Sequence, residues 1–344
     1  MIRIFGPLWH RMLYWVFYLR VRFSSPQVFT FVYDYKSSAI TFGDFIYVSM
    51  LARFVLASGH QLKLIFIESG TKPFYYKVDP EYLKQKQDEI AEMGRVLWDL
   101  APEMLERLSW EEFKRRYHDD RSLIFPPRSY IMGRKRYILR VFNLINFCIR
   151  RSSQDIVDKF LISEGSLQSL AKQASCHFPF KDYISWGVRA NPHYHEYRNT
   201  TQSEFYEIHN LLSQSFPGLP IVVISDPGEV EIIRDWAGER NLEVYFSKDS
   251  TTSFLGDLLV AAQSQFYFQF KGGGVMLPFL ARRPYLYLTK NGNEDRVDVY
   301  RLCYWAEPYQ IFFPDFEKWD RGLADRLLKR IKAHWPLLPS TDGT

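Results

Sequence analysis

SFLGDLLVAAQSQFYFQFKGGGVMLPFLARRPYLYL, residues Ser253–Leu288, has the pattern helix, buried strand, glycine turn, helix, strand. Leu255, Leu258, Leu259 and Ala262 recur at spacings of three and four, the apolar stripe of a helix laid on a sheet. Phe266–Phe270 is an aromatic run without a turn residue, short enough for a strand buried on both faces. Lys271-Gly272-Gly273-Gly274 follows at once, Val275 begins a second helical pattern, and Arg282-Arg283-Pro284 ends it before a further short strand, Tyr285–Leu288. Glycines between a strand and a helix let backbone N–H groups approach an anion, and the helix N-terminus adds its positive end. The turn is neither a G-x-G-x-x-G nor a Walker pattern, so its chemistry depends on what the rest of the chain brings to it.

Working backwards, the same alternation continues. Tyr183–Val188, Pro220–Ile224 and Leu242–Phe246 read as strands, and residues 202–215 and 229–237 as the helices between them. Strands alternating with helices of this length predict a parallel sheet wound on both faces. The first half repeats the theme: a strand near Gln27–Tyr33, a polar turn, a helix over 45–57 ended by Ser58-Gly59, and a strand over Gln61–Ile67. Residues 79–117 read as mainly helical, with a capping box at Ser109-Trp110-Glu111-Glu112. Arg134–Arg151 reads as a basic amphipathic helix and 154–174 as further helix. The expected class is α/β, two Rossmann-like domains with parallel sheets facing across a crevice. The expected division is a basic aromatic segment at 1–25, a first domain at 26–176, a second at 177–315, and a terminal helix at 316–344 packing back across the seam.

The chain has 344 residues, 47% hydrophobic and 17% aromatic, with a formal charge of +5. That composition excludes a disordered chain, and the charge points mildly to an anionic partner. Its 3 cysteines form no C-x-x-C pair, which argues against a disulfide framework or structural zinc and for a reducing, cytoplasmic setting. No apolar run reaches the roughly 18 residues that span a bilayer. Residues 1–23 interleave Trp, Tyr and Phe with Arg3, Arg11, Arg20 and Arg22. This suits a helix lying in a membrane surface or one docked on its own domain. The cations are spread along the chain rather than gathered in one nucleic-acid module, so no nucleic-acid partner is expected.

The strand ends supply the candidate site. Arg189 and Asn191 follow one strand, Ser225 and Asp226 the next, Lys248 and Ser250 the third, and Lys271, Gly272, Gly273, Gly274 and Val275 the fourth. Arginine forks fit phosphate oxygens and lysine gives a point charge. In the first half Lys36, Ser37, Ser38 and Gly43 lead into Asp44. Asp44 stands where a structural aspartate would cap a helix and where a catalytic one would take a proton from an acceptor hydroxyl. His193-Tyr194-His195-Glu196 lacks a further ligand at helical spacing and reads as a polar loop. There is no Asp-x-Asp, G-x-S-x-G or H-E-x-x-H motif.

Lys36-Ser37-Ser38 and Gly43-Asp44 leading into FIYVSMLARFVLASG resemble the GT-B glycosyltransferases, in particular the heptosyltransferases of lipopolysaccharide assembly. Val188-Arg189 and the glycine turn resemble the donor half of the fucosyltransferases, with Gly187 where those enzymes carry a histidine. The resemblance covers roughly residues 28–70 and 180–290. It implies an inverting, metal-independent transfer of a sugar from a nucleotide donor to a glycan or lipid-linked acceptor. It makes Asp44 the base, puts the donor diphosphate on Arg189, Lys248, Lys271 and the glycine N–H groups, and requires no cofactor beyond the nucleotide-sugar itself. Two other readings stay open: another nucleotide-sugar enzyme such as an epimerase, and a catalytically silent, membrane-associated binding protein of the same fold.

Overall fold

The computed structural model describes residues 2–38, 42–68, 80–98, 100–135, 137, 141–173, 178–190, 199–251, 253–270, 276–290, 310–316 and 320–334. The chain divides into two compact units, Met1–Leu161 and Ile162–Thr344. Each is built on a sheet of parallel strands.

The first unit runs α1 (Ile2–Phe23), β1 (Val28–Asp34), α2 (Phe42–Ala57), β2 (Gln61–Ile67), α3 (Pro80–Leu97), β3 (Leu105–Leu108), α4 (Trp110–Tyr117), β4 (Leu123–Phe125), α5 (Arg128–Met132), α6 (Val141–Ile149) and α7 (Gln154–Phe160). Its strand order is β3-β2-β1-β4. VFTFVYD of β1 is buried almost throughout, as expected of a parallel strand covered on both faces. The α2 sequence is apolar nearly all round because β2, α3, α6 and α7 pack around it. It ends at Gly59, whose φ of 88° is the left-handed turn that a Cβ would disfavour. The capping box at Ser109/Glu112 forms as the spacing predicts.

The second unit runs α8 (Glu164–Gln173), β5 (Ile184–Gly187), α9 (Gln202–Ser215), β6 (Ile221–Ile224), α10 (Pro227–Glu239), β7 (Tyr245–Phe246), α11 (Phe254–Gln263), β8 (Phe266–Phe270), α12 (Met276–Leu280), β9 (Tyr285–Lys290), β10 (Gln310–Phe316) and α13 (Arg321–His334). Its strand order is β10-β9-β8-β5-β6-β7. Counted within the unit, that is the doubly wound order 3-2-1-4-5-6 read from β7. Trp186, Phe205, Phe268, Leu286 and Leu327 belong to one buried core. Leu323, Leu327 and Ile331 of α13, expected across the seam, lie in this core, and α13 packs on α9.

Four expectations are revised. The two compact units meet in the sequence at Leu161/Ile162 rather than at 176/177. Arg53 of α2 donates to the carbonyls of Phe160 and Leu161 at 2.7 Å each, tying the end of α7 to the first unit, while α8 packs on α11. The helical reading of 79–117 misses β3, a half-exposed edge strand of sequence LERL, and β4 is only three residues long. The basic helix over 134–151 is shorter: α6 begins at Val141 and buries Leu144, Ile145 and Cys148. β10, absent from the sequence reading, carries Pro314 on the sheet edge at a register irregularity, where a missing N–H is tolerated.

Candidate functional site

In an open parallel sheet, ligands bind beyond the carboxyl ends of strands where the strand order reverses. That point lies between β5 and β8 in the second unit and between β1 and β4 in the first. Arg189 follows β5, and Asp34 ends β1.

At the second sheet, Gly187 ends β5 directly beside β8. A Cβ on it would stand 2.7 Å from the Tyr267 hydroxyl and 2.9 Å from Cγ of Gln269. The Tyr267 hydroxyl donates to Oε1 of Gln269 at 2.6 Å, so this pair fills the space beside the backbone. The histidine that the fucosyltransferase resemblance would put here has no room. Arg189 is half-buried, and its carbonyl accepts the N–H of Thr200 at 2.8 Å.

Glu229, on the first turn of α10, is 4% exposed. Its Oε2 accepts the N–H of Ala190 at 3.0 Å and the hydroxyl of Ser225 at 3.1 Å. One buried carboxylate thus braces the loop after β5 against the turn after β6. Burial pushes its pKa up, the charge of Asp226 adds to that, and the Ala190 N–H, the Ser225 hydroxyl and Arg189 oppose it. The sequence carried a signal for it: Asp226-Pro227-Gly228-Glu229 has the spacing of a capping box. Asp226 is the N-cap of α10, but its side chain makes no capping hydrogen bond, and Glu229 reaches across to β5 instead.

Beyond β7, Ser247–Asp249 forms a 3-10 turn, with Ser250 half-buried after it. Lys248 is 11% exposed and donates to Oδ2 of Asp257, itself 4% exposed, while the Ser247 hydroxyl donates to Oδ1 at 2.6 Å. Burial, with the charge of Asp226 adding to it, raises the Asp257 carboxyl to about 6 despite the Lys248 ammonium and the Ser247 hydroxyl. Lys248 therefore serves first as the partner of a buried acid, and its reach to a ligand phosphate would compete with that bond. Asp226 acts electrostatically on both Glu229 and Asp257, so three carboxylates gather at the β6–β7 edge. Asn191, Lys271–Val275 and His193–Glu196 lie outside the described residues.

At the first sheet, the loop after β1 is tied to Asp34. Its carbonyl accepts the N–H groups of Ser37 and Ser38 at 2.9 and 2.8 Å, and its Oδ1 accepts that of Lys36 at 3.0 Å. Its carboxylate also takes both arms of Arg134. The Ser37 hydroxyl donates to the Asp34 carbonyl at 3.3 Å, Ser37 and Ser38 are buried, and Lys36 is exposed. The guanidinium of Arg134 lies 4.8 Å from the Trp110 ring centroid. Gly43 and Asp44 are half-buried in the first turn of α2, which begins at Phe42. Asp44 is thus inside the helix rather than its N-cap, where a carboxylate meets the positive end of the helix dipole.

No protein-family model and no curated protein matches the chain. Solved structures do show likeness. Glycosyltransferase family 9 from Veillonella parvula DSM 2008 is 10% identical, over 92% of this chain and 98% of that one, with a TM-score of 0.49. A UDP-GlcNAc 2-epimerase from Methanocaldococcus jannaschii is 8% identical over 89% and 92%, with a TM-score of 0.38. The chain is likewise similar to an ADP-heptose lipopolysaccharide heptosyltransferase II from E. coli, 12% identical over 90% of this chain and 98% of that one, with a TM-score of 0.47.

Proposed function

We propose that the protein is an inverting, metal-independent glycosyltransferase of the GT-B type, moving a sugar from a nucleotide-sugar to a glycan or lipid-linked acceptor. The observation that carries this reading is the strand order of the second sheet. Its reversal between β5 and β8 falls at the two strands that Arg189 and the sequence Lys271-Gly272-Gly273-Gly274 follow in the chain, a cation and glycines of the kind that suit a diphosphate. Carboxylates dominate the β6–β7 edge instead. They would repel phosphate but accept bonds from hydroxyls, which suits Ser225, Asp226 and Glu229 to the ribose side of a nucleoside.

In this reading Asp44 takes the proton of an acceptor hydroxyl as its oxygen attacks the anomeric carbon from the face opposite the diphosphate. The carbon–oxygen bond to the diphosphate breaks, and the charge left on it is met by Arg189, Lys271 and the N–H groups of Gly272–Gly274. Asn191, Ser250 and Val275 complete the donor side, with Lys248 supporting the edge through Asp257. Lys36, Ser37, Ser38 and Gly43 form the acceptor side, where the bonds of Asp34 fix the loop.

The test is nucleoside diphosphate release from a panel of nucleotide-sugars, with and without glycan acceptors. Acceptor-dependent release with inverted product supports transfer. Conversion of donor without acceptor would make the protein an epimerase, and no turnover or nucleotide binding would leave a silent binding protein.

A further inference from the structure

Helix α1 has two apolar faces and only one of them is buried. Tyr14, Phe17, Tyr18 and Val21 are at most 7% exposed and pack into the first unit. On the other side Leu8, Trp9, Met12, Trp15, Leu19 and Phe23 are between 44 and 75% exposed. At about 100° per residue these six fall within about 60° of Met12, a single stripe along the helix. A soluble helix would carry polar residues there, and contiguous exposed apolar surface marks an interaction site.

Cations flank the stripe on both sides. By the same helical spacing Arg11 and Arg22 border one edge and Arg20 the other. Arg151, exposed at the end of α6, stacks its guanidinium 5.0 Å from the Trp15 ring centroid. Beside the Arg20 edge, Val16, itself 48% exposed, leads into a cavity of about 460 Å³, with Phe17 and Leu144 in its wall, Arg121 and Arg128 also lining it, and Asp120 on the same wall. Among the described residues no helix is long and apolar enough to cross a membrane. The combination is an apolar strip with two tryptophans, edged by arginines, on a helix already fixed to a folded unit.

We propose that the outer face of α1 docks the protein on an anionic phospholipid bilayer, with α1 lying in the plane of the surface. The apolar stripe enters the headgroup–acyl boundary, Trp9 and Trp15 sit at the interface their amphipathic rings favour, and Arg11, Arg22 and Arg151 meet lipid phosphates. A second copy of the chain fits less well, because a face-to-face pairing sets one cationic rim against another. The inference stands whether or not the protein transfers a sugar.

Cosedimentation of the full chain with vesicles tests it without any nucleotide. Vesicles of phosphatidylcholine with phosphatidylglycerol should pellet the protein, and high salt should release it. Pure phosphatidylcholine should bind at least about tenfold more weakly, since each cation near an anionic surface is worth about a fivefold factor. Trp9→Asp with Leu19→Asp, and separately Arg11→Glu with Arg22→Glu, should each lower binding at least about tenfold with an unchanged melting temperature. Failure of the wild type to bind anionic vesicles, or undiminished binding by both variants, overturns the proposal. So does a concentration-dependent dimer that Trp9→Asp abolishes while vesicles bind nothing, which would make a second copy the occupant.

Discussion

Asp34 and Arg134, 100 residues apart in sequence, form a bidentate pair, Nε to Oδ2 at 2.8 Å and Nη2 to Oδ1 at 2.7 Å. Asp34 is 3% exposed, and its carbonyl and carboxylate also fix the loop that carries Lys36, Ser37 and Ser38. Removing Arg134 strands a buried carboxylate, a change that costs about 3 kcal/mol or more. Arg134→Met should therefore lose about that much in urea denaturation. Arg128→Met breaks a pair with the exposed Asp119 and should lose no more than about 1 kcal/mol. Equal small losses would mean that the Asp34 pair holds nothing in place.

Lys248 gives a prediction with a pH signature. The folded carboxyl of Asp257 sits at about 6 against an ordinary 3.8, so the folded state binds the proton more tightly than the unfolded one. Asp257 thus stabilises the fold below about pH 4, and that contribution is lost as pH rises to about 6. Lys248→Met removes the group that limits the rise and extends the loss to higher pH. The variant should be close to wild type at pH 5 and about 2 kcal/mol less stable at pH 8, at about 1.4 kcal/mol per unit of pKa. A deficit that does not change between these pH values would show that Lys248 contributes packing rather than charge.

Gly187→Ala would drive a methyl group into Tyr267 and Gln269. Overpacking of this kind costs about 1–3 kcal/mol. Gly165→Ala on α8, with nothing within 4 Å of the added Cβ, serves as the control and should be neutral or slightly stabilising by helix propensity. Adding Tyr267→Phe, which removes the hydroxyl nearest the new methyl, should recover part of the loss, as a thermal melt would show.

Asp44→Asn keeps the size of the side chain in the first turn of α2 and removes its basicity. Transfer should fall by about 100-fold or more, the lower range for loss of a general base, while nucleotide affinity measured by titration calorimetry stays within about twofold. Preserved turnover takes Asp44 out of the mechanism.

Much of the second unit was legible because each element carries its own local pattern. Phe266–Phe270 is β8 to the residue, and residues 202–215 are α9, with Thr201 and Glu204 closing a capping box. β2 was equally clear. β3 and β4 were not, since four and three residues on or near a sheet edge need little apolar sequence and take their pairing from strands far along the chain. Of the candidate site, which residues follow which strand could be read, because the strands themselves were; the spatial order of the strands, which puts β8 beside β5, could not, because alternation alone leaves it open. The partners of its charges could not. Lys248 looked available until Asp257 was brought to it, and Glu229, read only as the start of a helix, reaches the loop after β5 in the fold. Spacing along one element shows which groups lie on one face; it does not show which charge from another strand arrives to neutralise it.

A nucleoside diphosphate bound at the strand reversal between β5 and β8 can be detected by a thermal-shift panel of GDP, UDP, ADP and CMP on wild type and Arg189→Ala. A ligand at about 100 times its Kd stabilises the native state by ~2.7 kcal/mol. One diphosphate should raise the wild-type melting temperature in proportion to the logarithm of its concentration, and Arg189→Ala, measured against its own unliganded melt, should need about tenfold or more of it for the same shift. No shift with any of the four, or an equal shift in the variant, would mean that no nucleoside diphosphate binds beside Arg189.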